Sequence, residues 1–159
     1  MSEKTKKQMT RWGIGPRFTI ISLTYAIIIF VLEYISFLDV PIPIPRILSL
    51  VSGMILIVIG LPVFLIPAFT IDKYLRKGQL ATKGIYGYFR HPIYASWTIF
   101  IVPGIVLIKG SLLGLTIPVF MYLVFKIMIS EEEEYLEKKF GTEYIEYKKK
   151  VNAVFPKLF

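Results

Sequence analysis

Four long apolar blocks, at roughly residues 18–38, 46–70, 92–108 and 112–129, restrict what this chain can fold into more than any other feature. About 20 helical residues cross a bilayer core, and a helix satisfies its own backbone hydrogen bonds where water is absent. A mean hydropathy of +0.62 in 159 residues is more than an ordinary soluble domain of this size carries. The expected fold class is therefore all-α: a polytopic membrane protein with about four transmembrane helices and a cytosolic, amphipathic C-terminal helical tail. One integral membrane domain is expected over residues 1–159, with 1–70 supplying an arm and two spans and 71–159 a polar loop, a helical hairpin and the tail.

The breaks between the blocks are equally informative. Lys4, Lys6, Lys7, Arg11 and Arg17, with Trp12 and Pro16 near membrane entry, read as an interface-anchored arm. The first apolar run is too long for a signal h-region and no small-residue cleavage site follows, so it reads as a permanent span. Glu33, toward the far end of that span, is expected to snorkel to the nearby interface; the alternative is a buried functional carboxylate. Pro41, Pro43 and Pro45 forbid helix and hold a short external turn extended. Arg46 opens the second span, which ends near Thr70 with Pro62 and Pro67 kinking its second half. Gly53 and Gly60 in this span permit close helix contact, a feature that leaves the oligomeric state open. Residues 71–91 read as a loop broken by Gly78, Gly84 and Gly87, and Lys109-Gly110-Ser111 as a tight turn.

Five Lys/Arg lie in the arm, five in residues 71–91 and six after residue 130, against only Arg46 and Lys109 in the two opposite turns. With an even number of spans the basic segments share one side, and the positive-inside rule makes that side cytoplasmic, with both termini and the polar loop on it. This topology accounts for the net charge of +8 without nucleic acid. With no cysteine and one histidine, thiolate chemistry and multi-histidine metal centres are excluded, and no metal site is expected.

The chemistry is concentrated in two polar stretches. One is Gly84-Ile85-Tyr86-Gly87-Tyr88-Phe89-Arg90-His91-Pro92-Ile93-Tyr94, which holds the only histidine. The other begins at Glu131-Glu132-Glu133-Glu134, where Leu136, Phe140, Tyr144, Tyr147 and Val151 recur at helical spacing. Glu132 and Glu133 fall on the side of this apolar stripe, and Glu131 and Glu134 on its flanks. Carboxylates facing an apolar seam need a cationic or hydrogen-bonding partner, which basic residues of the loop could supply with no further function. Gly141 and Thr142 read as a C′ residue and a new N-cap, and Glu134 with Lys138 and Glu146 with Lys150 as i,i+4 pairs. Tyr144 and Tyr147 are assigned to packing.

Taken in order, Thr82-Lys83-Gly84-Ile85-Tyr86, Arg90-His91-Pro92-Ile93-Tyr94, a helical hairpin, Glu132-Glu133, Leu136, Phe140-Gly141, Tyr144, Tyr147, Val151 and Pro156 resemble the signature of integral membrane methyltransferases. These include the isoprenylcysteine carboxyl methyltransferases and the related phospholipid N-methyltransferases. The resemblance runs from about Gly78 to Pro156; the N-terminal half carries no motif. It implies S-adenosylmethionine as methyl donor, S-adenosylhomocysteine as product, and a lipophilic or lipidated acceptor reaching the site from the membrane lipid. It also implies that Gln79, Leu80, Gly84, Tyr86, Arg90, His91, Pro92, Tyr94, Glu132 and Glu133 bind the cofactor. Arg90, His91, Glu132 and Glu133 carry the catalytic expectation.

Residues 151–156 depart from the pattern, since many relatives carry a basic residue between this valine and proline. For His91 the alternative is a structural hydrogen bond to the loop backbone, and for Tyr86 and Tyr94 an interfacial aromatic belt. Two rival functions stand beside this reading. A sterol-reductase-type membrane enzyme using NADPH has a similar histidine-proline and tyrosine-rich signature but more spans. A non-catalytic scaffold would use the charged tail to recruit a soluble partner.

Overall fold

The computed structural model describes residues 13–36 and 40–156. The basic arm through Trp12 and the start of the first external turn, including Asp39, lie outside the described residues. Helix α1 spans Gly15–Ser36 and α2 Arg46–Arg76. The third span begins as α3 (Pro92–Ala95), widens to a π-helical segment at Ser96–Ile101 and ends as α4 (Val102–Lys109). Helix α5 covers Thr116–Phe140 and α6 Thr142–Lys150. Four of these units are long and apolar enough to cross a bilayer, and no strand is present among the described residues. The chain is thus a polytopic, all-α integral membrane protein.

Packing follows from where small and polar residues fall. Helix α2 lies close along the third span because its glycines allow it: a Cβ on Gly53 would sit 2.6 Å from the Gly104 carbonyl oxygen in α4, and one on Gly60 2.7 Å from Phe100 Cβ in the π segment. These glycines serve a contact within the chain. The Ser96 hydroxyl donates to the Gly60 carbonyl (2.8 Å) and the Ser49 hydroxyl to that of Leu107 (2.5 Å), tying α2 to the third span where water cannot compete. The π segment ends just before Pro103, which has no N–H with which to continue an ordinary ladder. Helix α1 packs on α5, where Tyr25 stacks on Phe120 with ring centroids 3.9 Å apart. Phe18, Ile29, Tyr94, Val106, Met121, Phe125 and Ile129 fill the centre, while residues such as Val58 and Ile127 point outward as a lipid-facing surface should.

Several boundaries differ from expectation. Helix α2 runs past Thr70 to Arg76, so Asp72, Lys73 and Arg76 are helical. No breaker intervenes before Gly78 (φ +62°), and Lys73 and Arg76 complement the negative end of the helix dipole. Helix α5 likewise continues through the four glutamates to Gly141 (φ +58°), because Glu and Lys are strong helix formers. The expected division at Gly141 holds, but α6 starts without a side-chain cap from Thr142. Glu146 makes its close ion pair with Lys149, three residues on, and feels the Lys150 charge only at longer range.

Glu33 does not snorkel. It is 4% exposed and accepts from both the Lys109 ammonium and the Ser111 hydroxyl. A short polar side chain pointing inward from α1 reaches the Lys109-Gly110-Ser111 turn more readily than water. That turn also pairs with the proline-rich one: Ile42 N–H donates to the Gly110 carbonyl and Leu112 N–H to that of Val40, both at 2.9 Å.

Candidate active site

At the other end of the bundle, residues 84–94 meet the polar end of α5. Gly84–Gly87 forms one 3₁₀ turn, entered through Gly84 at φ +65°. Phe89 plugs the apolar core beneath it. The chain then straightens through Arg90 and His91, whose N–H groups donate to the carbonyls of Asn152 and Ala153, both at 2.9 Å. Pro92 opens the next helix, where its missing N–H costs nothing. The C-terminal segment, which departs from the expected pattern by lacking a basic residue between Val151 and Pro156, thus clamps the loop through its backbone.

This clamp presents Arg90 and His91 to Glu132 and Glu133, adjacent on α5. Arg90 Nη2 donates to Glu133 Oε1 at 2.5 Å, with side chains 9% and 12% exposed. His91 Nδ1 lies 3.4 Å from Glu132 Oε1, and Nε2 lies 3.6 Å from Glu133 Oε1. The Tyr94 hydroxyl donates to Glu132 Oε2 at 3.1 Å, its ring held edge-on against Phe18. Burial by itself would depress the His91 pKa. The two carboxylates outweigh burial and raise it, favouring the imidazolium.

Three contributors were not foreseen. Ile14 N–H points at Glu132 Oε2 (3.4 Å), and Gly13, at φ +54°, leaves room for that carboxylate: a Cβ there would lie 2.6 Å from the same oxygen. Lys148 of α6 contacts Glu133 Oε2 at 2.8 Å and Glu137 at 2.7 Å, and these partners hold its pKa above the ordinary ammonium range. The only sequence signals were the Gly13-Ile14-Gly15 tripeptide and the position of Lys148 four residues after Tyr144, on the face of the apolar stripe.

The remaining expected residues divide. Tyr86 is buried in the loop, and its carbonyl accepts from the Tyr147 hydroxyl at 2.5 Å. Leu80 packs on Tyr144, Tyr147 and Val151, and Pro92 is buried at the start of α3. Gln79 and Gly84 lie exposed on the outer side of the loop, where a Cβ on Gly84 would meet nothing within 4 Å. Burial pushes the Tyr86, Tyr144 and Tyr147 phenols up, so all three are neutral donors at ordinary pH.

The cluster is not closed on itself. Among the described residues, Arg90 Nε and the Tyr144 hydroxyl are buried without a hydrogen-bond partner, and His91 Nε2 has only the Glu133 carboxylate at 3.6 Å, beyond hydrogen-bond distance. Buried polar groups are ordinarily paired, so these unused donors are the groups that a polar ligand would engage. Paired acids, cationic donors and aromatic faces suit a zwitterionic sulfonium compound such as S-adenosylmethionine, whose carboxylate, ammonium and sulfonium each need a different partner. No group of His, Cys, Asp and Glu with metal-binding geometry occurs among the described residues.

Fold and site together define a helical integral membrane protein with a polar, partly unsatisfied cluster at one end of its bundle. Residues 48–143, more than half the chain, match the phospholipid methyltransferase family, and the chain belongs to that family. Among similar proteins is the human protein-S-isoprenylcysteine O-methyltransferase, 35% identical over 77 residues, which are 48% of this chain and 27% of that one. The Xenopus laevis counterpart is 38% identical over 77 residues, again 48% and 27% of the two chains. The Arabidopsis thaliana protein-S-isoprenylcysteine O-methyltransferase B is 32% identical over 78 residues, 49% of this chain and 40% of that one. The matches thus cover well under half the length of these relatives. A solved structure of the eukaryotic intramembrane Ras methyltransferase, isoprenylcysteine carboxyl methyltransferase, superposes with a TM-score of 0.50 and 22% identity over 91% of this chain and 53% of that one. At that identity it is the fold that is shared.

Proposed function

We propose that the protein is an S-adenosylmethionine-dependent methyltransferase that acts on a lipophilic carboxylate of the isoprenylcysteine type at the cytosolic membrane face. One observation carries the reading: Arg90, His91 and Tyr94 converge on Glu132 and Glu133 from the far side of a helical hairpin, with the Arg90 Nε donor left unpartnered. The names of the similar proteins supply the acceptor class. Bound there, S-adenosylmethionine supplies a methyl on a sulfonium, whose transfer to a carboxylate oxygen makes the C–O bond as the C–S bond breaks, with no proton to remove.

The chain's own residues have three tasks. Glu132 and Glu133 position Arg90, His91 and Tyr94 and offset the positive charge gathered beside the cationic donor. Arg90 and His91 offer charge-assisted hydrogen bonds to ligand carboxylate oxygens. The apolar wall of Phe18, Phe125 and Ile129 excludes water, so alignment can contribute up to about 7–11 kcal/mol in favourable cases.

A carboxylate acceptor fits better than an amine. Glu132 already faces Ile14 N–H, Tyr94 and His91, and Glu133 faces Arg90, Lys148 and His91, so neither is free to take a proton. The cytosolic side is supported by charge: Arg17, Lys73, Arg76, Lys77, Lys83 and Arg90 gather at the site's end, against Arg46 and Lys109 at the other.

The test is a titration of the full chain in nanodiscs with S-adenosylhomocysteine and, separately, NADPH. Saturable binding of the first that is lost in folded Glu133→Gln and His91→Ala supports the reading. Binding of NADPH alone would replace it with the reductase, and binding of neither would overturn both.

A further inference from the structure

We propose that the Tyr144 hydroxyl and Arg90 Nε together form a seat for a carboxylate group of the bound ligand, so that the tail helix α6 binds ligand as well as packing. This rests on the methyltransfer reading above.

Tyr144 is 1% exposed, set among Tyr147, Val151, Leu136 and Phe140, an environment that phenylalanine would fill equally well. Its hydroxyl nevertheless lies buried with no partner among the described residues. Tyr147 makes the contrast, because its hydroxyl is used structurally on the Tyr86 carbonyl. Lys148 stands one helical turn beyond Tyr144 on the same face. Its ammonium contacts Glu133 and its carbonyl accepts from Arg90 Nη1 at 3.2 Å, so this face of α6 is the one that meets the Arg90–Glu133 pair.

Arg90 commits Nη1 to Lys148 and Nη2 to Glu133 and keeps Nε–H unused. Tyr144 lies within electrostatic reach of both Arg90 and Glu133, so its unused hydroxyl and the unused Arg90 Nε–H call for an acceptor-only group. An ionised carboxylate is such a group and gains most from a guanidinium. The charge balance allows it: Arg90, Lys148 and a protonated His91 face Glu132 and Glu133, with Glu137 sharing Lys148 at the rim. Burial, reinforced by Glu133, keeps Tyr144 protonated and able to donate. The carboxylate has two possible sources, the amino-acid end of the methyl donor or the acceptor itself.

The experiment compares wild type and Tyr144→Phe, both as full chain in nanodiscs, in two pairs of ligands. One pair is S-adenosylhomocysteine and its decarboxylated analogue; the other is N-acetyl-S-farnesylcysteine and its methyl ester. The expected result is about tenfold weaker binding of one free carboxylate, the size of a lost charged hydrogen bond, with under twofold change for its carboxylate-free counterpart. Which pair responds identifies the source. Because the readout is a ratio between matched ligands, it is insensitive to the folded fraction. Tyr147→Phe serves as control and should lower stability without changing either ratio. Equal affinities in wild type and Tyr144→Phe, or an equal loss within both pairs, would overturn the seat while leaving the methyltransfer reading standing. Failure of wild type to bind any of the four ligands would overturn both.

Discussion

Arg90 and Glu133, 43 residues apart, meet through a single 2.5 Å contact in which both side chains are nearly buried. That contact joins the loop before the third span to the end of α5. Removing one partner of such a pair is costly because the other charge stays behind. Glu133→Gln leaves Arg90 and Lys148 facing each other, and a loss of about 3 kcal/mol in chemical denaturation is expected. Arg90→Gln should cost less, because Lys148 still neutralises Glu133.

Gly13 tests the unforeseen wall of the site. At φ +54° an alanine pays about 1–2 kcal/mol of backbone strain. Its Cβ would also displace the Glu132 carboxylate. Gly13→Ala should therefore weaken S-adenosylhomocysteine binding at least tenfold in calorimetric titration, whereas Gly15→Ala, whose Cβ would stand 3.7 Å from the Tyr94 hydroxyl, should be mild.

The elevated His91 pKa fixes the sign of a pH effect. A group whose folded pKa is raised contributes stability that is fully present below its unfolded value, about 6.5 for histidine, and is lost as pH rises through the folded value. Thermal melts of the ligand-free protein should therefore fall in midpoint as pH rises above about 6.5, and His91→Gln should flatten that slope.

The opposite end of the bundle predicts an asymmetry. Glu33 is 3% exposed at its side chain and Lys109 40%, so the two partners are not equally trapped. Lys109→Met leaves a buried carboxylate and should cost about 3 kcal/mol, whereas Glu33→Gln lets Lys109 turn to water and should cost about 1 kcal/mol. The double variant should be more stable than Lys109→Met alone. Denaturant titrations of the three variants check this, and S-adenosylhomocysteine affinity should stay within twofold in each.

What could be read from sequence was what repeats or concentrates. Apolar runs gave the spans, Gly141 the tail break, and the crowding of Arg90, His91 and Tyr94 against a glutamate pair the heart of the site. What escaped was long-range or carried by backbone. Ile14 N–H reaches Glu132 across 118 residues, and Glu33 finds Lys109 across 76, with no periodicity to announce either. Lys148 sits in a run of three lysines that gives it no distinction, yet its place one turn past Tyr144 brings it to Glu133 at the rim of the site. The helix limit at Arg76 and the unbroken run of α5 past Ile129 were missed because charged residues end an apolar run without ending a helix.

The central claim, that residues 86–94 and 132–148 enclose one nucleoside-binding site, is tested most directly by photo-crosslinking with methyl-labelled S-adenosylmethionine and peptide mapping of the adduct. The predicted result is label within those two segments, abolished by excess S-adenosylhomocysteine. Label confined to the turns at residues 40–46 and 109–112, or label that S-adenosylhomocysteine does not displace, would contradict it.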